Sequence, residues 1–295
     1  MIAPREWDAA AAAAYVKMPT DADDKYSRGV VGVRTGSRQF AGAAVLGVCA
    51  AWRAGAGMVR YVGPDLVGSL VLQRRPETVL VGGRVQAWVI GSGTSAESRE
   101  ADEEQALRRL LGGVAPVVVD AGALDLASGA SAPLVLTPHA GEFARLRRQV
   151  GLDESAHDDA AGAAADAADD AAVAETARVL NATVLRKGAR TVVATPGGWS
   201  AAVRAGTPWL ATAGTGDVLG GVLGAILAAH ADEIAADREM LGPLAATAAF
   251  VHGAAGRQAA GVEAASGRGG HPLTALEVAD AVPGVLGALA AGAAS

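Results

Sequence analysis

The sequence predicts an α/β domain of three layers, α-β-α, around a mostly parallel central sheet. Two observations predict it. Short Val-rich runs bounded by Gly, Pro or Asp alternate with longer segments of helical spacing, and the last part of the chain carries helical spacing alone. Runs that are apolar at every position suit strands covered on both faces. Strand–helix alternation builds parallel sheets with helices on both sides.

Taken in order, strands are expected at residues 30–33, 58–62, 88–90, 117–119, 134–136, 183–185 and 192–194. Helices are expected at 41–54 and 97–111 between them. The rhythm stops near Arg204, and helices follow at 216–229, 239–260 and 274–289, the last two separated by the glycines of 267–270 and Pro272. No repeat or linker divides the chain, so residues 1–295 read as one domain. Residues 1–24, with Glu6 and Asp8 ahead of an Ala run, read as an N-terminal extension. From Gln149 to Ala177 there are eight Asp or Glu and no Lys or Arg, among many Ala. This acidic, Ala-rich stretch (150–172 as an insertion) reads as a solvated loop or helix extension rather than a metal site. Loss of residues 152–168 is therefore expected to leave folding and rate nearly unchanged.

Composition narrows the function. With 51% hydrophobic residues the chain can bury a sizeable core, and with 4% aromatics that core must be Ala, Val and Leu. A net charge of −6 argues against a nucleic-acid binder. Cys49 is the single cysteine, which excludes an intramolecular disulfide and a thiolate zinc site; its apolar surroundings at 45–52 suggest a buried helix position. No uninterrupted apolar stretch has membrane length and no basic leader opens the chain, so a cytoplasmic protein is expected.

Chemistry concentrates in Thr212-Ala213-Gly214-Thr215-Gly216-Asp217 ahead of an apolar helix. Glycines allow a sharp turn close to a ligand, and the helix start offers unpaired amides to phosphate or a developing anion. An acidic residue there makes sense if a substrate hydroxyl must be held and deprotonated beside the phosphate; an Asp of ordinary pKa would be ionised. Read alone, Asp217 could also be a plain helix cap. The pattern is neither the dinucleotide fingerprint, since Leu219 stands where a third Gly would fall, nor a Walker A loop. Leu185-Arg186-Lys187-Gly188-Ala189-Arg190-Thr191 reads as a tight turn between strands with Lys187 and Arg190 exposed, either a bare hairpin or a nucleotide contact. Thr137-Pro138-His139-Ala140-Gly141-Glu142 follows a strand, where open α/β sheets bind ligands; Glu142 could equally cap the next helix. Gly36-Ser37, Gly42-Ala43-Ala44, Gly91-Ser92-Gly93 and Asp120-Ala121 mark further strand-to-loop junctions. Together they make a rim of Gly and small polar residues suited to a large ligand.

In this order the seven motifs resemble the NAD(P)H-hydrate dehydratases of the ribokinase-like superfamily, from about Lys25 to Leu289. The resemblance implies that ADP or ATP phosphorylates the hydroxyl of a hydrated nicotinamide ring, and that phosphate then leaves to restore NADH or NADPH. By position, Ala43, Gly93, His139 and Asp217 would contact the hydrated dinucleotide, with Asp217 the catalytic base. Lys187, Gly188, Ala189, Arg190, Thr191 and Gly216 would hold the adenine nucleotide, and the amides of Ala213, Gly214, Thr215 and Gly216 would form the anion hole. Mg2+ would bridge the nucleotide phosphates, with no metal site built from protein ligands. The resemblance also implies a homo-oligomer, a tetramer, and an epimerase that is a separate protein, since no epimerase domain is expected ahead of the match. Three departures stand out: Gly122 where the family has a second Asp in Asp-Ala-Asp-Ala-Leu, Ser92 where it has Pro, and Ala213 where it has Gly. The competing readings are a vitamin or sugar kinase of the same superfamily, which would leave its product phosphorylated, and an adenylate-binding module without catalysis.

Overall fold

In the computed structural model, which describes residues 4–153, 163–262 and 269–293, the chain forms a nine-stranded sheet between two helical layers. It runs through β1 (Arg5–Glu6), α1 (Ala9–Ala13), β2 (Val30–Arg34), α2 (Ala41–Arg53), β3 (Met58–Tyr61), α3 (Asp65–Arg74), β4 (Ala87–Ile90), α4 (Ala101–Leu111) and β5 (Val117–Val119). It continues through β6 (Leu134–Leu136), α5 (Ala140–Gln149), α6 (Ala163–Leu180), β7 (Thr183–Arg186), β8 (Thr191–Ala194) and β9 (Ser200–Val203). The helices α7 (Thr215–Ala229), α8 (Ala231–Ala236), α9 (Leu241–Ala259) and α10 (Ala275–Ala293) complete it. The sheet order is β1-β9-β8-β7-β6-β5-β4-β2-β3, and only β8 runs against its neighbours.

The period-two alternation of a strand divides the Val runs between two cores. Val31, Val33, Val89, Val118, Val135 and Leu185 face α2, α7, α9 and α10, whereas Ile90, Val117, Val119, Leu136 and Val184 face α4, α5 and α6. This is why these strands are apolar throughout. Each of the seven expected strands is present, within a residue or two. Cys49 is fully buried on α2. One helix, at Ala275–Gly292, is long and apolar enough to cross a membrane by length and composition; in this fold it packs on α9, α2 and α1.

Several expectations need correction. The helix expected at 97–111 begins at Ala101, because Ser95 bonds the Glu97 carboxylate in a turn. The strand–helix rhythm hides β9 and α3. Residues 4–24 are not an appendage: β1 pairs with β9, and Trp7 is buried against Tyr15 and Trp199.

The acidic stretch is the largest correction. Residues 154–162 lie outside the described residues, as do 267 and 268 of the expected Gly break. From Ala163 onward, however, the stretch is α6, a covering helix with Ala172, Val173, Ala177 and Leu180 in the core. Its acids are the counter-charges of arginines on the β7–β8 hairpin, after β9 and on α5. Asp169 pairs with Arg186 at 2.9 Å, Asp170 with Arg190 at 2.6 Å and Asp166 with Arg204 at 2.8 Å, while Glu175 pairs with the buried Arg147 at 2.9 Å. Removal of residues 152–168 would therefore strip the first turn of a packed helix.

Breaking a buried ion pair leaves a charge without compensation. Asp169→Ala is expected to lower unfolding free energy by about 3 kcal/mol. The exposed Asp21→Ala should stay within about 0.5 kcal/mol of the parent. Urea denaturation of the two variants checks both values.

Candidate active site

The C-terminal ends of β2, β4, β5, β6 and β7 form one crest, and backbone bonds stitch it beyond the regular ladder. Gly36 donates to the Ser92 carbonyl at 2.7 Å, Asp120 to Ile90 at 3.1 Å, Thr137 to Val119 at 3.0 Å and Lys187 to Pro138 at 2.8 Å. The N-terminus of α7 meets this crest. Gly214 takes φ +91°, which only glycine adopts at ease, and its close neighbours Leu46 of α2 and Ala275 of α10 leave no room for a Cβ. The first amides of α7 are without intrahelical partners. One of the four expected anion-hole amides is already spent: Thr215 donates its amide to the Thr212 carbonyl at 3.3 Å. Its hydroxyl is engaged by the Leu210 and Thr212 carbonyls. Ala213, Gly214 and Gly216 remain at the turn.

Asp217, in the first turn of α7, is half-buried, and no hydrogen bond or ion pair from a described residue reaches its carboxylate. Burial pushes its pKa up to about 6, the charge of Asp120 adds to the rise and Lys187 opposes it. The ordinary carboxylate value expected for this residue is thus corrected: its pKa is raised to about 6, close to neutrality.

Around it the crest gathers six side chains that sequence reasoning did not connect. The Lys187 ammonium lies 2.7 Å from Asp120 Oδ1 and 3.9 Å from Glu142 Oε2. Thr137 Oγ1 donates to Asp120 Oδ1 at 2.8 Å, and Ser92 Oγ donates to Asp120 Oδ2 at 3.0 Å. His252 of α9 contacts the Thr215 carbonyl through Nε2 at 2.8 Å; desolvation pushes its pKa down to about 4, so the ring is neutral at physiological pH. A signal for Asp120 was its position at a strand end. His252 left none, being one polar residue in a long apolar helix.

The remaining expected site residues divide. Ala43 and Gly93 come together, since a Cβ on Gly93 would fall 2.5 Å from that of Ala43, at the N-terminus of α2. His139 caps α5: Nδ1 accepts from the amides of Gly141 at 3.1 Å and Glu142 at 3.4 Å, while Glu142 Oε2 accepts from the His139 amide at 2.9 Å. This reciprocal box assigns the ring proton to Nε2, at the exposed edge. Gly188 and Ala189 form the exposed tip of the β7–β8 hairpin, and the Thr191 hydroxyl closes it on the Gly188 carbonyl at 3.2 Å. Lys187 and Arg190 are not exposed as expected. Lys187 turns inward to Asp120, and Arg190 is clamped by Asp170 through both terminal nitrogens.

A cleft of about 310 Å³ adjoins the crest, lined by Thr94, Gly122, Asp125, Glu142 and Arg145. A cavity of about 320 Å³ opens at the other end of α7, about 22 Å away by helix rise. Its Lys17 and Arg53 are taken up by Glu233 and Asp280. His230 also lines that cavity, its pKa lowered by burial, whereas at the crest an unpaired carboxylate, Asp217, stands at a helix start. Among the described residues no three His, Cys, Asp or Glu side chains converge to hold a metal.

A family model described as NAD(P)H-hydrate dehydratase matches residues 31–275. The chain is 44% identical over 234 residues to a bifunctional NAD(P)H-hydrate repair enzyme of Mycobacterium tuberculosis, an alignment covering 75% of this chain and 46% of that protein. It thus spans about half the length of the bifunctional relatives it matches. It is 32% identical over 315 residues to an ADP-dependent (S)-NAD(P)H-hydrate dehydratase of Xanthomonas campestris, covering 99% of this chain and 100% of that one. The crystal structure of the ADP/ATP-dependent NAD(P)H-hydrate dehydratase of Bacillus subtilis, co-crystallized with ATP/Mg2+, superposes with a TM-score of 0.80 at 25% identity over 98% of this chain and 100% of that one. The sheet order, the crest and these likenesses agree on a ribokinase-like fold, and the chain belongs to the NAD(P)H-hydrate dehydratase family.

Proposed function

We propose that the chain removes water from the S epimer of hydrated NADH or NADPH, with ADP or ATP as phosphoryl donor. One observation carries this reading: the unpaired Asp217 carboxylate stands beside the helix-start amides and the Lys187 ammonium. A base and an anion cradle at one point suit transfer of a phosphoryl group to a hydroxyl. Asp217 accepts the proton of the ring hydroxyl. The amides of Gly214 and Gly216 and the Lys187 ammonium stabilise charge on the moving phosphoryl, which preorganised donors do without reorganisation. Phosphate then departs with the ring oxygen, and loss of the neighbouring proton restores the dihydropyridine.

The likeness to the Xanthomonas dehydratase supports the substrate and the donor. The cleft of about 310 Å³ has the size of a ligand pocket and gives room for the rest of a dinucleotide beside Ala43, Gly93 and the exposed Nε2 edge of His139. The hairpin tip at Gly188–Thr191 takes the adenine nucleotide through its backbone, since Arg190 is committed to Asp170. Mg2+ fits as a companion of the nucleotide phosphates, where it would neutralise their charge. The reading further includes a homo-oligomer, tetrameric by family resemblance, an epimerase acting on the same hydrates, and a cytoplasmic location with the coenzyme pool.

Incubation of chemically hydrated NADH with the protein, Mg2+ and either ADP or ATP is expected to raise absorbance at 340 nm only when nucleotide is present. A phosphorylated product without coenzyme recovery would instead identify a small-molecule kinase. Asp217→Ala should abolish turnover while calorimetry still detects nucleotide binding; retention of more than a few per cent of the parent rate would falsify the base assignment.

Stability should move oppositely to activity. A carboxyl whose pKa is raised on folding contributes stability that is present below its unfolded value and lost as pH rises through the folded value, about 6 for Asp217. Asp217→Asn stays neutral throughout, so its melting temperature should exceed the parent's at pH 8, with the gain shrinking as pH falls toward 4. Thermal melts across that range check the sign.

A further inference from the structure

Three carboxylates lie within reach of Lys187 at the crest. It stands 2.7 Å from Asp120, 3.9 Å from Glu142 and within electrostatic reach of Asp217, and it pairs with Asp120 rather than Asp217. The reason lies beneath it. Asp120 is buried at the end of β5, and its two oxygens are fixed by hydroxyls from the flanking strands, Ser92 after β4 on Oδ2 and Thr137 after β6 on Oδ1. Both hydroxyl residues are themselves buried. A carboxylate anchored from two sides is a fixed charge, and a flexible lysine stem settles on it.

The alternative pairing would be damaging. An ammonium on Asp217 would satisfy the base, reduce its proton affinity and block the hydroxyl that it must reach. We propose that Asp120 is a positioning residue: held by Ser92 and Thr137, it keeps the Lys187 ammonium at the mouth of α7, facing the phosphate position, and off the Asp217 carboxylate. Lys187 Nζ lies 3.7 Å from where a Cβ on Gly216 would be, which puts the cation beside the helix-start amides. The inference rests on the reading of Asp217 as the base.

The charged and titratable groups around Asp217 come from four elements. Asp120 at the end of β5 and Lys187 at the end of β7 act on its charge, Glu142 of α5 lies beside Lys187 with His139 next to it, and the neutral His252 of α9 bonds the Thr215 carbonyl. The α2 residues nearest this turn, Leu46 and Gly47, carry no charge. The raised pKa of Asp217 is consistent with a lysine held elsewhere.

The test reads the Asp217 carboxyl directly, by carbon-13 NMR titration of the ligand-free protein, so it stands whether or not hydrated coenzyme proves to be the substrate. In Asp120→Asn the midpoint of Asp217 should fall by about one unit or more, because a like charge is lost and an opposite one arrives. Adding Lys187→Met to that variant should raise the midpoint further than Lys187→Met does in the parent, since only the released lysine pairs with Asp217. Equal effects of Lys187→Met in the two backgrounds, or an unmoved midpoint in Asp120→Asn, would overturn the proposal. Ser92→Ala, which leaves the charge but frees one oxygen, should give a smaller shift in the same direction and serves if Asp120→Asn does not fold; no shift in it counts against the role. If the parent turns over hydrated coenzyme, the acid limb of its pH–rate profile should shift downward with the NMR midpoint.

Discussion

Where α7 begins decides what the crest can do. Its apolar circumference, from Val218 to Ala228, is buried among β2, β4, α2 and α9. A helix packed on every side cannot slide or tilt without opening the core. Its first turn is therefore fixed over the strand ends, and Asp217 with it. The amides of that turn carry the positive end of the helix dipole, so the same packing that orients the Asp217 carboxylate also orients these amides. No side-chain contact to Asp217 is needed to hold it, and this leaves the carboxylate unpaired.

The charges of the β7–β8 hairpin are sorted by strand periodicity. Arg186 follows the face of Val184, toward α6, and meets Asp169 there; Lys187, one residue on, turns to the other side and meets Asp120. Arg190 returns to the α6 side and Asp170. The acidic helix thus gathers the arginines of the hairpin and of the neighbouring Arg204, and leaves one cation at the crest.

This sorting explains which parts of the structure were legible in the sequence. Val-rich strands and the all-helical second half announce themselves by local pattern, because a strand buried on both faces must be apolar throughout. Ser200–Val203 escaped because its two alanines and serine lack β-branched bulk, although pairing to β8 makes it a strand. The acidic run was misread because its partners, Arg186, Arg190 and Arg204, lie outside it in sequence, and solvation is the default for unpartnered charge. At the site, Gly214 to Asp217 could be read because a glycine turn and a helix start are contiguous. The Asp120–Lys187 pair spans 67 residues, and no local pattern announces it.

The departures from the family pattern also acquire a physical sense as linked changes. A Cβ on residue 122 would fall 2.4 Å from the Thr94 carbonyl oxygen, so the aspartate that the family carries there does not fit this loop as it stands. Thr94 is held over that position by its own hydroxyl on the Gly91 carbonyl at 2.6 Å. The lost carboxylate and the closed loop therefore belong together. Ser92 compensates within the same turn: proline offers no donor, whereas this serine supplies a hydroxyl to Asp120, the acidic residue of the motif that is retained. Arg34, at the end of β2, is likewise absorbed locally, bonded to both oxygens of Glu103 on α4 and to the Val62 carbonyl. The substitutions alter how the crest is braced while Asp217 and the helix start that carries it stay the same.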